Sequence, residues 1–227
     1  MNRRDQLALA LDVSSSKEAL KLVDATIDHV GVFKIGMQLF YAEGPDLVRQ
    51  IKAQGRRVFL DLKLHDIPNT VASAIQSLAE LEIDYLTVHA GGGPAMLRAA
   101  QQVAGSIQLL AVTVLTSMDE HELAAVGVSH QPNEQVRRLA QTAVRAGISG
   151  LVCSALEAES LRTQLGDQVF LVCPGIRPKG SDVGDQKRIA TPARALKDGA
   201  NLLVVGRPIR SADDPRSAAR MILEDMQ

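Results

Sequence analysis

The chain has 227 residues, of which 46% are hydrophobic, so it can bury the core of one large domain. Its formal net charge of −1 argues against a surface for nucleic acid or another polyanion. No segment approaches the roughly 20 consecutive apolar residues of a membrane-spanning helix, which argues against a membrane protein.

The N-terminal segment and the cysteines both favour a cytoplasmic location. Arg3 and Arg4 precede an apolar stretch, but Asp12 interrupts it and leaves it too short for a secretory signal peptide. Cys153 and Cys173 each lie in an apolar run and lack the spacing of metal ligands. We therefore expect reduced thiols in the core of an intracellular protein.

Short apolar runs alternate along the chain with segments of helical periodicity. The runs predict eight strands, at residues 7–12, 32–36, 58–63, 85–89, 109–114, 150–153, 169–173 and 202–206. The other segments predict helices, at residues 17–28, 45–53, 70–81, 94–103, 133–146, 156–165, 192–197 and 215–226. Runs of Val, Ile and Leu without polar alternation are typical of parallel strands that are buried on both faces.

This alternation predicts the fold class, α/β. Strand–helix repeats form crossover units, and eight such units in about 200–250 residues are typical of a (β/α)8 TIM barrel. We expect a single barrel domain over residues 1–227, with a loop at 128–132 interrupting the long fifth crossover. The alternative is an open doubly wound sheet, but the first turn, at 12–17, lacks the GxGxxG phosphate loop of that fold.

A cluster of charges follows the third predicted strand. Asp61 and Lys63 are two residues apart, so their side chains point to the same side of a strand, and Asp66 follows within one turn. Lys34 lies in the preceding strand and extends the row of alternating charges. Because an isolated buried charge is very costly, we expect these groups to be mutually paired. A solvated salt bridge on a loop is the alternative interpretation.

Further polar residues come at or after the ends of other predicted strands. Asp12 ends the first, His89 ends the fourth, Thr116 follows the fifth, Arg177 the seventh and Arg207 the eighth. Active sites of TIM barrels gather at the C-terminal ends of the strands, so these positions predict one site. Each residue also has a structural interpretation, His89 as a hydrogen-bonded core histidine and Thr116 as a helix cap.

Two loops indicate a phosphate site. The loop at 174–188 is long, rich in Gly and Pro and carries several cations, as mobile lids often do. After the eighth strand, Gly206 exposes backbone N–H and Arg207 can hold a dianion through two hydrogen bonds. The loops after strands 7 and 8 are the common phosphate site of TIM barrels.

Seven segments, in order and over essentially the whole chain, resemble the orotidine 5'-phosphate decarboxylase family of the bacterial type. They are ALD at 10–12, KIG at 34–36, DLKLHDIPNT at 61–70, VTVLTS at 112–117, PGIRP at 174–178, GDQKR at 184–188 and VGRPI at 205–209. The DxKxxD core is shared with a wider superfamily of phosphosugar decarboxylases and aldol-type synthases. The HDIPNT, PGIRP, GDQ and GRPI segments are more specific.

The resemblance implies an enzyme, a carboxy-lyase, that converts orotidine 5'-monophosphate to uridine 5'-monophosphate (UMP) and CO2. This is the last step of de novo UMP biosynthesis, and in the family it needs no metal or organic cofactor. Loss of CO2 leaves a carbanion at C6, which fixed charge must stabilise. The resemblance makes Lys63 the group that stabilises and then protonates C6. Lys34, Asp61 and Asp66 complete the catalytic charge cluster.

The resemblance also implies binding roles and a homodimer with shared active sites. Asp66 and Thr70 reach the site of the neighbouring subunit, and Ile67 between them also contacts substrate. Asp12 and Lys34 hold the ribose hydroxyls. Thr116 contacts the pyrimidine edge. The phosphate is held by three further residues, Arg177, Gly206 and Arg207, and Gln186 connects the lid to the base and the phosphate.

Two other functions stay open from the sequence. One is a superfamily relative that acts on a sugar phosphate through an enediolate bound to Mg2+, which would need an additional Asp or Glu as metal ligand. The other is a non-catalytic barrel that only binds a nucleotide. Such a barrel would be expected to lack Lys63 or one of the carboxylates, and all four charged residues are present.

Overall fold

Parallel strands and helices alternate along the chain in a computed structural model that describes residues 2–178 and 190–226. Within these residues, eight parallel strands form a closed barrel in which each strand pairs with its neighbours in chain order and β8 pairs with β1. The strands are β1 Leu7–Ala10, β2 Val32–Gly36, β3 Arg57–Leu64, β4 Tyr85–His89, β5 Gln108–Val112, β6 Gly150–Val152, β7 Phe170–Cys173 and β8 Leu202–Val205. The predicted (β/α)8 TIM barrel is therefore confirmed.

Helices connect the strands and cover the outside of the barrel. They are α1 Ser16–Thr26, α2 Met37–Glu43, α3 Pro45–Ala53, α4 Pro68–Ser77, α5 Gly93–Val103, α6 Glu120–Ala125, α7 Pro132–Arg145, α8 Ala155–Leu165, α9 Pro192–Lys197, α10 Arg207–Arg210 and α11 Pro215–Asp225. Short 3-10 turns lie at Arg3–Gln6, Ala79–Leu81 and Ala90–Gly92. None of the helices in the described ranges is long and apolar enough to cross a membrane.

The core has two layers, because successive side chains of a strand point to opposite faces. On β1, Leu7 and Leu9 pack outward against the helices, whereas Ala8 and Ala10 belong to a separate cluster inside the barrel. Both layers exclude water, which explains why the strands are continuous apolar runs in the sequence.

Aromatic side chains fill the barrel at the N-terminal ends of its strands. Tyr85 stacks on Phe170 with ring centroids 5.7 Å apart, and Phe59 meets Tyr85 edge-on at 6.1 Å. Arg57 donates a hydrogen bond of 3.2 Å to the Tyr85 hydroxyl. This packing fills the interior of the barrel at that end.

Three helices were not among those predicted from periodicity: α2, α6 and α10. Helix α6 begins with a capping box, in which the Asp119 carboxylate accepts from the Glu122 N–H and the Glu122 carboxylate accepts from the Asp119 N–H. Asp119 therefore caps this helix, and the interpretation of Thr116 as its cap is wrong. The predicted loop at 128–132 matches the break between α6 and α7, at 126–131, except that Pro132 begins α7.

Candidate active site

A cavity of about 390 Å3 opens at the C-terminal end of the barrel. Its floor is apolar, formed by inward-facing side chains of five strands, Ala10, Phe59, Val152, Val172 and Val204. Its polar wall contains eight of the residues predicted from the sequence, Asp12, Lys34, Asp61, Lys63, Thr116, Arg177, Gly206 and Arg207. The folded chain therefore brings together side chains that lie up to 195 residues apart in the sequence.

Two lysines and two aspartates form a continuous chain of ion pairs along one wall. The Lys63 ammonium lies 2.8 Å from Oδ1 of Asp61, and the Lys34 ammonium lies 3.5 Å from Oδ2 of the same carboxylate. Lys34 also contacts Oδ1 of Asp12 at 3.1 Å. Within this group the charges sum to zero, which is how a largely buried cluster avoids the cost of an isolated charge.

Asp61 is the centre of this chain and stays ionised. Burial raises the pKa of its carboxyl, but the charges of Lys34 and Lys63, with hydrogen bonds from Lys63 and Thr87, outweigh burial. The pKa of Asp61 consequently lies below its ordinary value. The ionised Asp61 holds an ammonium group on each side, and all three residues line the cavity.

The backbone that carries Lys63 departs from a regular strand. The register pairs on either side are Leu60 with Leu86 and Leu64 with Val88. Three residues of β3, 61–63, therefore lie opposite a single residue of β4, Thr87, which makes a bulge. Lys63 has a φ of +50°, in the left-handed region that non-glycine residues seldom occupy. Bulges of this kind are found next to active sites, where they redirect a side chain.

Asp66 differs from the expectation that all four charged residues pair with one another. Within the described ranges it takes part in no ion pair, and its carboxylate accepts a hydrogen bond of 2.7 Å from the N–H of Ile67. Residues 65–70 are exposed, and the Ile67 side chain is 67% exposed although it is apolar. Asp66, Ile67 and Thr70 do not line the cavity of their own chain.

Cations line the cavity near the ends of β7 and β8. Arg177 is buried, and its position is fixed by a hydrogen bond from its N–H to the Ala190 carbonyl and by one from its Nη1 to the Ile176 carbonyl. Arg207 begins α10 directly after Gly206. Guanidinium groups around a small cavity provide the bidentate donors that suit a phosphate. Gln186 lies outside the described residues.

Sequence reasoning missed two residues of this region. Arg210 lines the cavity, three residues after Arg207, and its Nη1 donates a hydrogen bond of 2.7 Å to the Asp12 carbonyl. Thr87 is buried and forms hydrogen bonds with Asp61 and Lys63. Arg210 could have been found from the spacing, because residues three apart share a helix face. Thr87 gave no signal, since a threonine in an apolar run is an ordinary strand residue.

His89 lies at the end of β4 but does not line the cavity. Its ring packs on that of His65, with centroids 5.4 Å apart. Burial, followed by the charges of His65 and Lys63, lowers the pKa of His89 and favours its neutral form.

Cys153 and Cys173 are buried free thiols with sulfurs 3.9 Å apart. Across the described residues, no three His, Cys, Asp or Glu side chains come together as a metal-binding group.

Comparisons with known proteins agree with this geometry. The sequence model of a family described as "Orotidine 5'-phosphate decarboxylase / HUMPS family" matches residues 5–222. An orotidine 5'-phosphate decarboxylase of Moorella thermoacetica is 46% identical, over all of this chain and 94% of the relative. The one from Erythrobacter litoralis is 50% identical, over 94% of this chain and 96% of the relative. A crystal structure of orotidine 5'-phosphate decarboxylase from Lactobacillus acidophilus superposes with a TM-score of 0.86, at 38% identity, over 97% of this chain and 98% of that one.

Proposed function

The chain belongs to the orotidine 5'-phosphate decarboxylase / HUMPS family, and we propose that it converts orotidine 5'-monophosphate to UMP and CO2. This reaction is the last step of de novo UMP biosynthesis. One observation carries the proposal: the Lys63–Asp61–Lys34 charge chain and the arginines that follow β7 and β8 line the same small cavity. A nucleotide that reacts at its base and is bound through its phosphate needs both the charge chain and the arginines.

The chemistry requires fixed positive charge at one carbon. When CO2 leaves C6 of the pyrimidine, the electron pair of the broken bond stays on C6, which has no neighbouring group to accept it. A preorganised ammonium stabilises that developing charge without any reorganisation at the moment of reaction. In the proposed mechanism Lys63 supplies the ammonium and then transfers a proton to C6, and Asp61 and Lys34 hold it in place. No metal or organic cofactor takes part.

The remaining wall residues bind the rest of the nucleotide. Asp12 and Lys34 are assigned to the ribose hydroxyls and Thr116 to the pyrimidine edge. The phosphate is assigned to Arg177, Gly206 and Arg207, with Gln186 connecting the lid to base and phosphate. Binding energy from the remote phosphate can then be used to raise the rate at C6.

The site is completed by a second copy of the chain. We assign Asp66, Ile67 and Thr70 of the partner subunit to each cavity, in a homodimer with shared active sites. The exposed apolar Ile67 and the outward position of Asp66 support this assignment, because neither serves the chain's own cavity. The near-neutral net charge of −1 supports a protein that does not bind nucleic acid. We also propose that the enzyme is cytoplasmic and does not associate with membranes.

The test is the loss of orotate absorbance when orotidine 5'-monophosphate is added to protein that has been treated with a chelator and dialysed. We expect full turnover, equal to that of untreated protein. The Lys21→Ala variant, which removes an exposed lysine from α1, serves as the preparation control. No loss of orotate absorbance, with turnover of a sugar phosphate that requires Mg2+, would instead favour enediolate chemistry of the wider superfamily.

A further inference from the structure

The bulge in β3 interrupts the backbone hydrogen bonds between β3 and β4. Where three residues of one strand face one residue of the next, the regular ladder is interrupted and backbone groups lose their partners. A buried N–H without an acceptor is costly, so the groups of 61–63 need a substitute. Thr87 is the single β4 residue opposite them, and its side chain is in place to provide it.

The Thr87 hydroxyl makes two hydrogen bonds at once. It lies 2.9 Å from the backbone nitrogen of Lys63 and 3.0 Å from Oδ1 of Asp61. The amide can only donate and the ionised carboxylate can only accept, so the hydroxyl accepts from Lys63 and donates to Asp61. Thr87 is 1% exposed, so water does not compete for either bond.

These two bonds reach both ends of Lys63. The backbone bond supports the left-handed φ of +50°, which is unfavourable for a lysine and persists only where its surroundings enforce it. The second bond fixes Asp61 Oδ1, and that same oxygen lies 2.8 Å from the Lys63 ammonium. The Thr87 hydroxyl thus fixes both the backbone of Lys63 and, through Asp61, the position of the Lys63 ammonium.

We propose that Thr87 is a positioning residue, whose hydroxyl holds the Lys63 ammonium in its reactive place through the Lys63 backbone and the Asp61 carboxylate. The inference rests on the proposed function, in which Lys63 protonates C6. Thr87 is absent from the lining of the cavity and acts only through these two residues. Thr87 affects the reaction rate because chemistry at a single carbon is sensitive to small displacements of the reacting group, here the Lys63 ammonium.

The chain offers a matched control for a buried threonine hydroxyl. Thr113 is 5% exposed, and its hydroxyl donates a hydrogen bond of 2.9 Å to the Val152 carbonyl, between the ends of β5 and β6. Its bond serves the backbone alone, without contact to the charge chain. Thr113→Val therefore reproduces the loss of a buried hydroxyl, and Thr87→Val adds the loss of contact with Asp61 and Lys63.

The experiment compares Thr87→Val, Thr87→Ser and Thr113→Val with the wild-type protein. The activity readout is kcat and KM for orotidine 5'-monophosphate. The second readout is the pKa of Asp61, measured by carboxyl 13C NMR, which does not depend on turnover and so separates this inference from the proposed function. Should Thr87→Val fail to fold, Thr87→Ala replaces it, since Ala and Ser differ only by the hydroxyl.

For Thr87→Val we expect kcat to fall roughly 10- to 100-fold with KM changed little, the range that one hydrogen bond to a charged group corresponds to. The pKa of Asp61 should rise, because a donor to its charged form is gone. Thr87→Ser should restore both values, and Thr113→Val should lose thermal stability but keep kcat and the Asp61 pKa. An unchanged kcat or Asp61 pKa in Thr87→Val, or an equal loss of kcat in Thr113→Val, would overturn the proposal.

Discussion

Each oxygen of the Asp61 carboxylate faces a different ammonium group. Oδ1 is 2.8 Å from Lys63 and Oδ2 is 3.5 Å from Lys34, and the Asp61 side chain is only 16% exposed. Removing one member of such a buried chain leaves its partners uncompensated, so the residues act as a unit. At this scale, function depends on where two positive charges are fixed relative to one cavity wall.

We propose that the cations near β7 and β8 bind the phosphate, and Arg207→Ala tests this role. We expect this variant to raise KM and to lower kcat/KM by roughly 2–5 kcal/mol in barrier terms, as for a lost charge-assisted contact. Phosphate-free orotidine should be almost insensitive to the same change. The measurement is kcat/KM for both substrates, with Arg220→Ala, an exposed arginine of α11, as the matched variant. Equal losses for the two substrates would mean that Arg207 supports the fold and does not bind phosphate.

At the scale of elements, apolar periodicity was sufficient to predict the barrel. All eight strands occur where apolar runs predicted them, because strands buried on both faces must be apolar throughout. Their ends differ by up to two residues, as at β1 and β5, where the chain leaves the sheet before the apolar pattern stops. Helices α2 and α10 were missed since they span only seven and four residues, too few to establish a period.

The sequence predicts the residues of the site only where strand order alone determines their place in the barrel. Residues at the C-terminal ends of strands meet in any closed barrel, so Asp12 and Asp61 could be placed together in advance. Lys34, within the strand before Asp61, could be added through the row of alternating charges. The bulge that turns Lys63 and brings Thr87 beneath it depends on the register between β3 and β4. Register is a property of two strands that pair in space, and a single run of residues does not encode it.

At the scale of the whole molecule, the barrel offers its ligand one open end. Aromatic packing around Tyr85 fills the other end, so the cavity opens at the C-terminal face. The exposed segment 65–70 follows β3 at that face and contributes nothing to the cavity of its own chain. The shared site that we propose for a two-fold dimer would give this segment a function.

Mixed dimers test the shared site. The Lys63→Ala and Asp66→Asn homodimers should each be inactive, because every site lacks one group. When they are unfolded and refolded together, about half the dimers are mixed, and each mixed dimer has one intact site of two by its two-fold symmetry. Activity should return to about a quarter of wild-type if the sites act independently. Activity no higher than the mean of the parents, with mixed dimers verified by mass spectrometry, would rule the shared site out.

The central claim is that this cavity removes CO2 from C6 and that Lys63 delivers the replacing proton. Its most direct test is the mass spectrum of UMP formed from orotidine 5'-monophosphate in D2O, where the lysine ammonium carries deuterium. Wild-type protein and the Lys21→Ala control should yield UMP with one deuterium at C6, and Lys63→Ala should yield less than a tenth as much per unit time. No UMP from the wild-type protein, or comparable UMP from Lys63→Ala, would contradict the account.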